Sequence, residues 1–292
     1  NRPRTGCSTR SSGLPDGTGL MSPIVIEDID DPRLDVFRNV RDRDLRGRDR
    51  LFMAESELVI RRALDSGFRV HSFLLSPRHH ERLASELASV DAPVYVASLE
   101  ILGRVTGFHI HRGALAAVHR PDLGFRPDLA WLENLRGPGP CLLAGLEGLT
   151  NVDNLGGIFR SAAAFGVGGV VLDPTCCDPF YRKCVRVSMG HVLHVPCVEC
   201  RDWTHDVEWI RRHLRLTVVG AECTSEAFPL SSAPLPERSL VIFGAEGHGV
   251  SPTTLGLCDE VRMIPIDGAV SSVNVGIAAA IFFYEYGRGA DT

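Results

Sequence analysis

The chain has 292 residues, 31 Lys plus Arg against 36 Asp plus Glu, a net charge of −5 and a hydrophobic content of 44%. That length and apolar share suffice for one large or two medium globular domains, and the net charge gives no global basic signature for nucleic acid, though local patches matter more than totals. No apolar run reaches a membrane span, and nine irregularly spaced cysteines argue for reduced thiols in a cytoplasm over a disulfide framework.

Residues 1–20 are rich in Gly, Ser, Thr and Arg without an apolar core, and they read as a disordered extension or a start-site artefact, with Met21 as a candidate natural start. Asp35 to Leu51 carries Arg38, Arg41, Arg43, Arg46, Arg48 and Arg50 among Asp42, Asp44 and Asp49. It reads as a solvated, self-paired segment or as one side of an RNA-phosphate track. Nearly all the basic residues are arginine; Lys183 is the single lysine. Next come the LFMAES segment, a helix near Glu57–Asp65, strands at Val70–Leu75, Val94–Val96 and Ala114–Val118, and helices near His79–Ala88 and Leu99–Val105. This alternation predicts a small α/β domain over residues 21–121.

Residues 122–139, rich in proline and glycine, are the expected linker. A second α/β unit is expected over 140–292. Its strands are Cys141–Gly145, Gly169–Leu172, Leu193–Pro196, Leu216–Gly220, Leu240–Phe243 and Val261–Ile264, in a mostly parallel six-stranded sheet. Helices are expected near Leu155–Phe165, Thr204–His213 and Ser251–Leu257.

Two of those strands break straight into glycine-bearing loops, FGAEGHGVS at 243–251 and IPIDGAVSSVNVG at 264–276. The loops are expected side by side at the C-terminal edge of the sheet, where open α/β folds bind ligands. The first has spacing G-x-x-G-x-G, which is not a dinucleotide fingerprint. The second ends in Ser271 and Ser272, either of which suits an N-cap, before an alanine-rich helix. A third stretch, NVDNLGGIFRSAAAFG at 151–166, places Asn154 and Arg160 six positions apart on one helix.

Together these three stretches resemble, in order, the signature motifs of the SpoU (TrmH-like) branch of the SPOUT RNA methyltransferases. The resemblance covers about half of the chain. It implies a C-terminal trefoil knot, S-adenosylmethionine as methyl donor, a homodimer paired through the knotted region, and RNA as substrate. The acceptor would be a ribose 2′-hydroxyl of rRNA or tRNA, with rRNA favoured by an N-terminal domain similar to the L30e-like RNA-binding domains. Base methylation, or a non-catalytic RNA-binding protein on the same fold, are the alternatives. Carried onto this sequence, the catalytic set is Asn154, Arg160, Glu246, Ser272 and Asn274. The donor-binding set is Gly244, Gly247, Gly249, Ile264, Pro265, Ile266, Ser272 and Val273. For Glu246, a solvent-facing carboxylate, a partner of Arg160 or of a second subunit, and a substrate-orienting group are all open, the last being favoured. His248 is read as part of the loop. His191, His194, Cys197 and Cys200, near Cys176, Cys177 and Cys184, have soft-ligand character, but three-residue spacing along a strand sends them to opposite faces, so no metal is expected.

Overall fold

The computed structural model describes residues 23–38, 50–106, 113–270 and 272–290. Most of the arginine-rich stretch, the 1–20 extension and Ser271 lie outside them.

The first unit contains β1 (Ile24–Ile26), a 3-10 segment (Pro32–Phe37), β2 (Leu51–Glu55), α1 (Glu57–Asp65), β3 (Val70–Leu75), α2 (Pro77–Arg82), α3 (Ala84–Leu87), β4 (Val94–Ala97), α4 (Leu99–Thr106) and β5 (Ala114–His119). Its five-stranded sheet has the order β1-β4-β3-β5-β2, with β5 antiparallel to both of its neighbours. The LFMAE run is the edge strand β2, and Ser56 ends it as the cap of α1.

The second unit contains α5 (Ala130–Asn134), β6 (Cys141–Leu146), α6 (Val152–Ala164), β7 (Gly169–Leu172), α7 (Arg182–Val187), a 3-10 turn (His191–Leu193), β8 (Cys197–Glu199), α8 (Trp203–Leu214), β9 (Thr217–Ala221), β10 (Phe228–Pro229), β11 (Arg238–Phe243), α9 (Pro252–Leu255), β12 (Glu260–Met263) and α10 (Val275–Ala290). Its sheet is parallel throughout, in the order β10-β12-β9-β11-β6-β7-β8. Six strands are those expected in number; the seventh, β10, is a two-residue addition at the edge. β6 and β7 are buried along their whole length and β11 from Ser239 on, with apolar runs, as strands covered by helices on both faces must be. On one face α6 packs against α7 and α10. Gly156 permits the close approach, because a Cβ there would lie 2.9 Å from Val187 Cβ and 3.0 Å from the Cys184 carbonyl. The docking of α10 on α6 is compatible with the expected knot.

Two expectations are corrected. The strand expected at Leu193–Pro196 is a 3-10 turn followed by a strand at Cys197–Glu199. Gly190 enters the left-handed region (φ 83°), and this turns the chain before the apolar residues can extend. The strands β11 and β12 are not neighbours either: β9 lies between them and pairs with both.

Segment 122–139 is seated on the second sheet. The Phe125 N–H donates to the Glu199 carbonyl (2.9 Å), the Glu199 N–H donates to Leu123 (2.7 Å), and Leu132 is fully buried. The two units share one continuous core. At their junction Phe180 packs against Phe52 and Phe68, with ring centroids 4.9 and 6.1 Å away. The Arg120 guanidinium lies over Phe180 (5.1 Å) and donates to Asp178 at 2.8 Å.

Candidate active site

The C-terminal ends of β9, β11 and β12 surround a cavity of about 570 Å³. Its walls are the loop 244–249, Ile264 and Ile266 after β12, and Ser272, Val273, Ala278 and Phe282 from the entry and inner face of α10. The first loop is a closed hairpin. The Gly249 N–H donates to the Ala245 carbonyl at 2.9 Å, and Gly247 and Gly249 both have positive φ. Closure depends on Gly244, where a Cβ would come within 2.0–2.2 Å of the backbone of Gly249 and Val250.

Glu222, just past the end of β9, supplies what the intervening strand adds. Its carboxylate accepts from the N–H groups of Val250 (2.7 Å) and Cys223 (2.9 Å), tying the loop to the strand end. Glu147, just past β6, fixes the other side. It accepts from the N–H and hydroxyl of Ser251 (2.9 and 2.6 Å) and from Thr254 (2.7 Å), which in turn accepts from the Trp203 indole. Neither carboxylate is visible as functional in sequence, because each is a lone acidic residue whose partners are supplied by chain remote in sequence.

A second cleft, of about 520 Å³, lies between α6 and α10. Asn154, Gly157, Arg160 and Ser161 line one wall, and Asn274, Ile277 and Tyr284 the other. Arg160 is exposed and makes no hydrogen bond or ion pair among the described residues, whereas Asn154 is buried. Helix α6 is capped by Asn151, whose side chain accepts from the Asp153 N–H at 2.9 Å, so Asn154 is released from capping and projects from the first turn.

Asn274 belongs to both clefts. Its Oδ1 accepts from the N–H groups of Gly276 (2.9 Å) and Ile277 (3.3 Å), and so Asn274 caps α10 in place of Ser272; the other expected cap, Ser271, lies outside the described residues. Its Nδ2 donates to Asn154 Oδ1 and to Glu246 Oε1, both at 2.9 Å. Three of the five expected catalytic residues therefore form one network. Arg160 faces the second cleft beside it, and Ser272 lines the first. Of the expected donor-binding residues, Gly244, Gly247, Gly249, Ile264, Ile266, Ser272 and Val273 line the first cavity, and Pro265 does not. His248 also lines it.

In the cysteine-rich region Cys184 and Cys200 are buried and Cys176, Cys177 and Cys197 half-buried. Burial pushes the Cys176 thiol up to about 12 and that of Cys177 to about 11, and raises those of Cys184, Cys197 and Cys200. Among the described residues no group of three or more His, Cys, Asp or Glu side chains converges as metal ligands, and no helix is long and apolar enough to cross a membrane.

A parallel sheet opens an apolar, glycine-walled cavity beside a cleft holding an arginine without an ion-pair partner among the described residues, with one amide side chain joining the two, and comparison with known proteins identifies the chain that carries this site as an RNA methyltransferase. It belongs to the SpoU rRNA methylase family, whose model matches residues 142–284. An uncharacterised tRNA/rRNA methyltransferase of Mycobacterium tuberculosis is 38% identical over 288 residues, 96% of each chain. The 23S rRNA (guanosine-2′-O-)-methyltransferase RlmB of Acinetobacter baylyi is 28% identical over 73% of this chain and 86% of its own. Among solved structures, the fold is shared with an AdoMet-bound rRNA methyltransferase from Sinorhizobium meliloti (TM-score 0.78, 22% identity, 90% of this chain and 97% of that one).

Proposed function

We propose that this chain methylates a ribose 2′-hydroxyl of RNA, with rRNA as the substrate class and S-adenosylmethionine as the donor, and that it works in the cytoplasm as a homodimer. The observation that carries the reading is the bonding of Asn274 to both Asn154 and Glu246, at the wall common to the two clefts. Relatives named as rRNA 2′-O-methyltransferases support the choice of acceptor.

The residues fit the donor. Ile264, Ile266, Val273 and Phe282 offer an apolar wall, and the loop 244–249 brings bare backbone to the cavity because Gly244 lacks a Cβ. When bound, the donor supplies an electrophilic methyl on a cationic sulfur. The protein must then align an acceptor oxygen with that methyl and stabilise the oxygen as it loses its proton. Arg160 is permanently cationic, so it holds the neighbouring RNA phosphate and stabilises the developing alkoxide. Asn154 and Glu246 fix the Asn274 amide, and Asn274 holds the start of α10 at the junction. Ser272 borders the donor cavity near the same point.

The dimer is supported by the apolar residues around the second cleft. Ile277 and Tyr284 are 56% and 53% exposed, and Phe165 meets Tyr284 edge-on at 6.1 Å. Exposed apolar groups clustered in this way mark a contact surface. We place the RNA-binding domain at 21–121, a connecting segment at 122–139 and the methyltransferase domain from 140.

The test is incubation with deproteinised rRNA and tRNA and isotopically labelled donor, followed by nuclease digestion and mass spectrometry. A 2′-O-methylated nucleoside from the rRNA is expected. A methylated base, or no incorporation by a protein that binds S-adenosylhomocysteine, overturns the reading.

A further inference from the structure

The turn between α7 and β8 is wedged against three elements: α1 of the first unit, α6, which carries Arg160, and α7. Its entry is tight. Gly190 has φ 83°, and a Cβ there would lie 3.3 Å from Arg62 Cδ and 3.5 Å from Val59 Cα. Arg62 reaches across from α1 and donates through Nη1 to the Met189 carbonyl. That bond uses one of five guanidinium N–H groups. On the turn, the rings of His191 and His194 stand 6.5 Å apart. Ser66 Oγ bonds His194 Nδ1 at 2.9 Å, which leaves Nε2 on an exposed side chain.

Burial holds the His191 pKa below its ordinary value, and Arg62, His194 and Arg160 push it the same way. Two carboxylates of the helices packed on the turn are engaged elsewhere, Asp153 with Lys183 at 2.5 Å and Glu57 with Arg61 and Arg82 at 3.1 and 3.2 Å, while Asp65, three positions after Arg62 on α1, is exposed and does not act on His191. Neither Arg62 nor Arg160 has an ion-pair partner among the described residues. A guanidinium without an ion-pair partner beside neutral ring N–H donors suits an anion with several acceptor oxygens.

We propose that Arg62, His191 and His194 form a phosphate subsite that carries the RNA backbone from the first unit to the Arg160 cleft. The subsite rests on the reading of the chain as an RNA methyltransferase and adds to it the path the strand follows. It makes the contact between the two units part of the substrate surface, so the first unit presents RNA to the second at a fixed distance from the acceptor cleft.

The test is the salt dependence of binding to a fluorescein-labelled single-stranded RNA of mixed sequence, measured by anisotropy on the full chain. Arg62→Gln keeps a donor for Met189 and removes the charge; His191→Gln and His194→Gln remove ring donors at the turn. With Arg62→Gln the slope of log K against log salt should fall by about 0.7, the value for one lost contact to a single strand, and affinity at low salt should fall roughly threefold or more. The histidine variants should weaken binding at low salt in the same direction. Affinity for S-adenosylhomocysteine should be unchanged in all three. Should Arg62→Gln fail to fold, the histidine variants decide, since His194 is exposed. Wild-type slope and affinity in the folded variants, with methylation of RNA intact, overturn the subsite and leave the proposed function standing. A wild-type chain that binds donor but no RNA overturns both.

Discussion

The side chains of Asn154 and Asn274, separated by 120 positions in sequence, meet amide to amide at 2.9 Å and join α6 to α10, the last helix. Every polar group of Asn274 is committed, its oxygen to the helix start and its nitrogen to Asn154 and Glu246. Asn274→Asp keeps the capping oxygen but sets a carboxylate against Glu246. It should lower methyl transfer by about 100-fold, of the order seen when one positioned donor is lost, while the melting temperature moves little. Asn274→Ala should cost about 1 kcal/mol in addition, through the lost cap. Steady-state assays paired with thermal melts check both; a fully active Asp variant would remove the network from the mechanism.

Gly244→Ala tests the closed loop. Its methyl group would overlap the backbone of Gly249 and Val250, so the hairpin must open. Affinity for S-adenosylhomocysteine should fall at least about tenfold, equivalent to roughly 1.4 kcal/mol, with the circular dichroism spectrum unchanged. Calorimetry giving wild-type affinity would show that the loop is not the donor wall.

Arg160 is placed to act on RNA and not on donor, since it lines the second cleft and is absent from the wall of the first. Arg160→Ala should abolish transfer and leave S-adenosylhomocysteine binding near wild type. Val273→Asp, which puts a charge into the donor wall, should do the reverse by losing donor binding. Arg160→Lys keeps the charge without the planar fork, and substantial activity in it would point to simple electrostatics.

Of the eight cysteines in the described residues, Cys223 is the exposed one, and it lines the donor cavity. Burial pushes Cys176 to about 12 and Cys258 to about 11. At pH 8 those thiols remain protonated, and only the thiolate reacts. Brief alkylation followed by peptide mapping should therefore label Cys223 ahead of the other seven, and S-adenosylhomocysteine should slow that labelling. Equal labelling with and without the ligand would count against the cavity as its site.

The junction of the two units has its own test. The Arg120 and Asp178 side chains are 10% and 2% exposed and pair at 2.8 Å. Arg120→Met removes the counter-charge of a buried carboxylate that keeps the Phe180 N–H at 2.8 Å, and breaking a buried pair in this way costs about 3–5 kcal/mol. Urea denaturation should register a loss of that order; a loss below about 1 kcal/mol would mean the pair behaves as a surface contact.

The parts of the site that sequence revealed are those where chemistry and local conformation coincide. Glycines closing a tight loop, and an Asn and Arg on one helix, keep their spacing whatever surrounds them. Glu222 and Glu147 were hidden because their roles exist only after β9 and β6 are laid beside β11. The misplaced strand at Leu193–Pro196 has a local cause: apolar alternation suggested extension, while the left-handed Gly190 had already turned the chain. The capping of α10 by Asn274 in place of a serine shows the limit of residue preference, since all three candidates are good caps and tertiary contacts choose among them. The arginine-rich stretch from Asp35 lies largely outside the described residues, and its part in an RNA track stands as an expectation.

The insertion of β11 between β6 and β9 has a consequence for the timing of synthesis. The first cleft is completed only by Phe282 and the second only by Tyr284, yet the first unit and its share of the phosphate path are complete by residue 119. At a translation rate of about 5–20 residues per second, the stretch from 119 to 284 takes roughly 8–33 s to emerge. For that interval a nascent chain presents an RNA-facing unit without a donor site, so it can engage the nucleic acid around it before it is able to modify it.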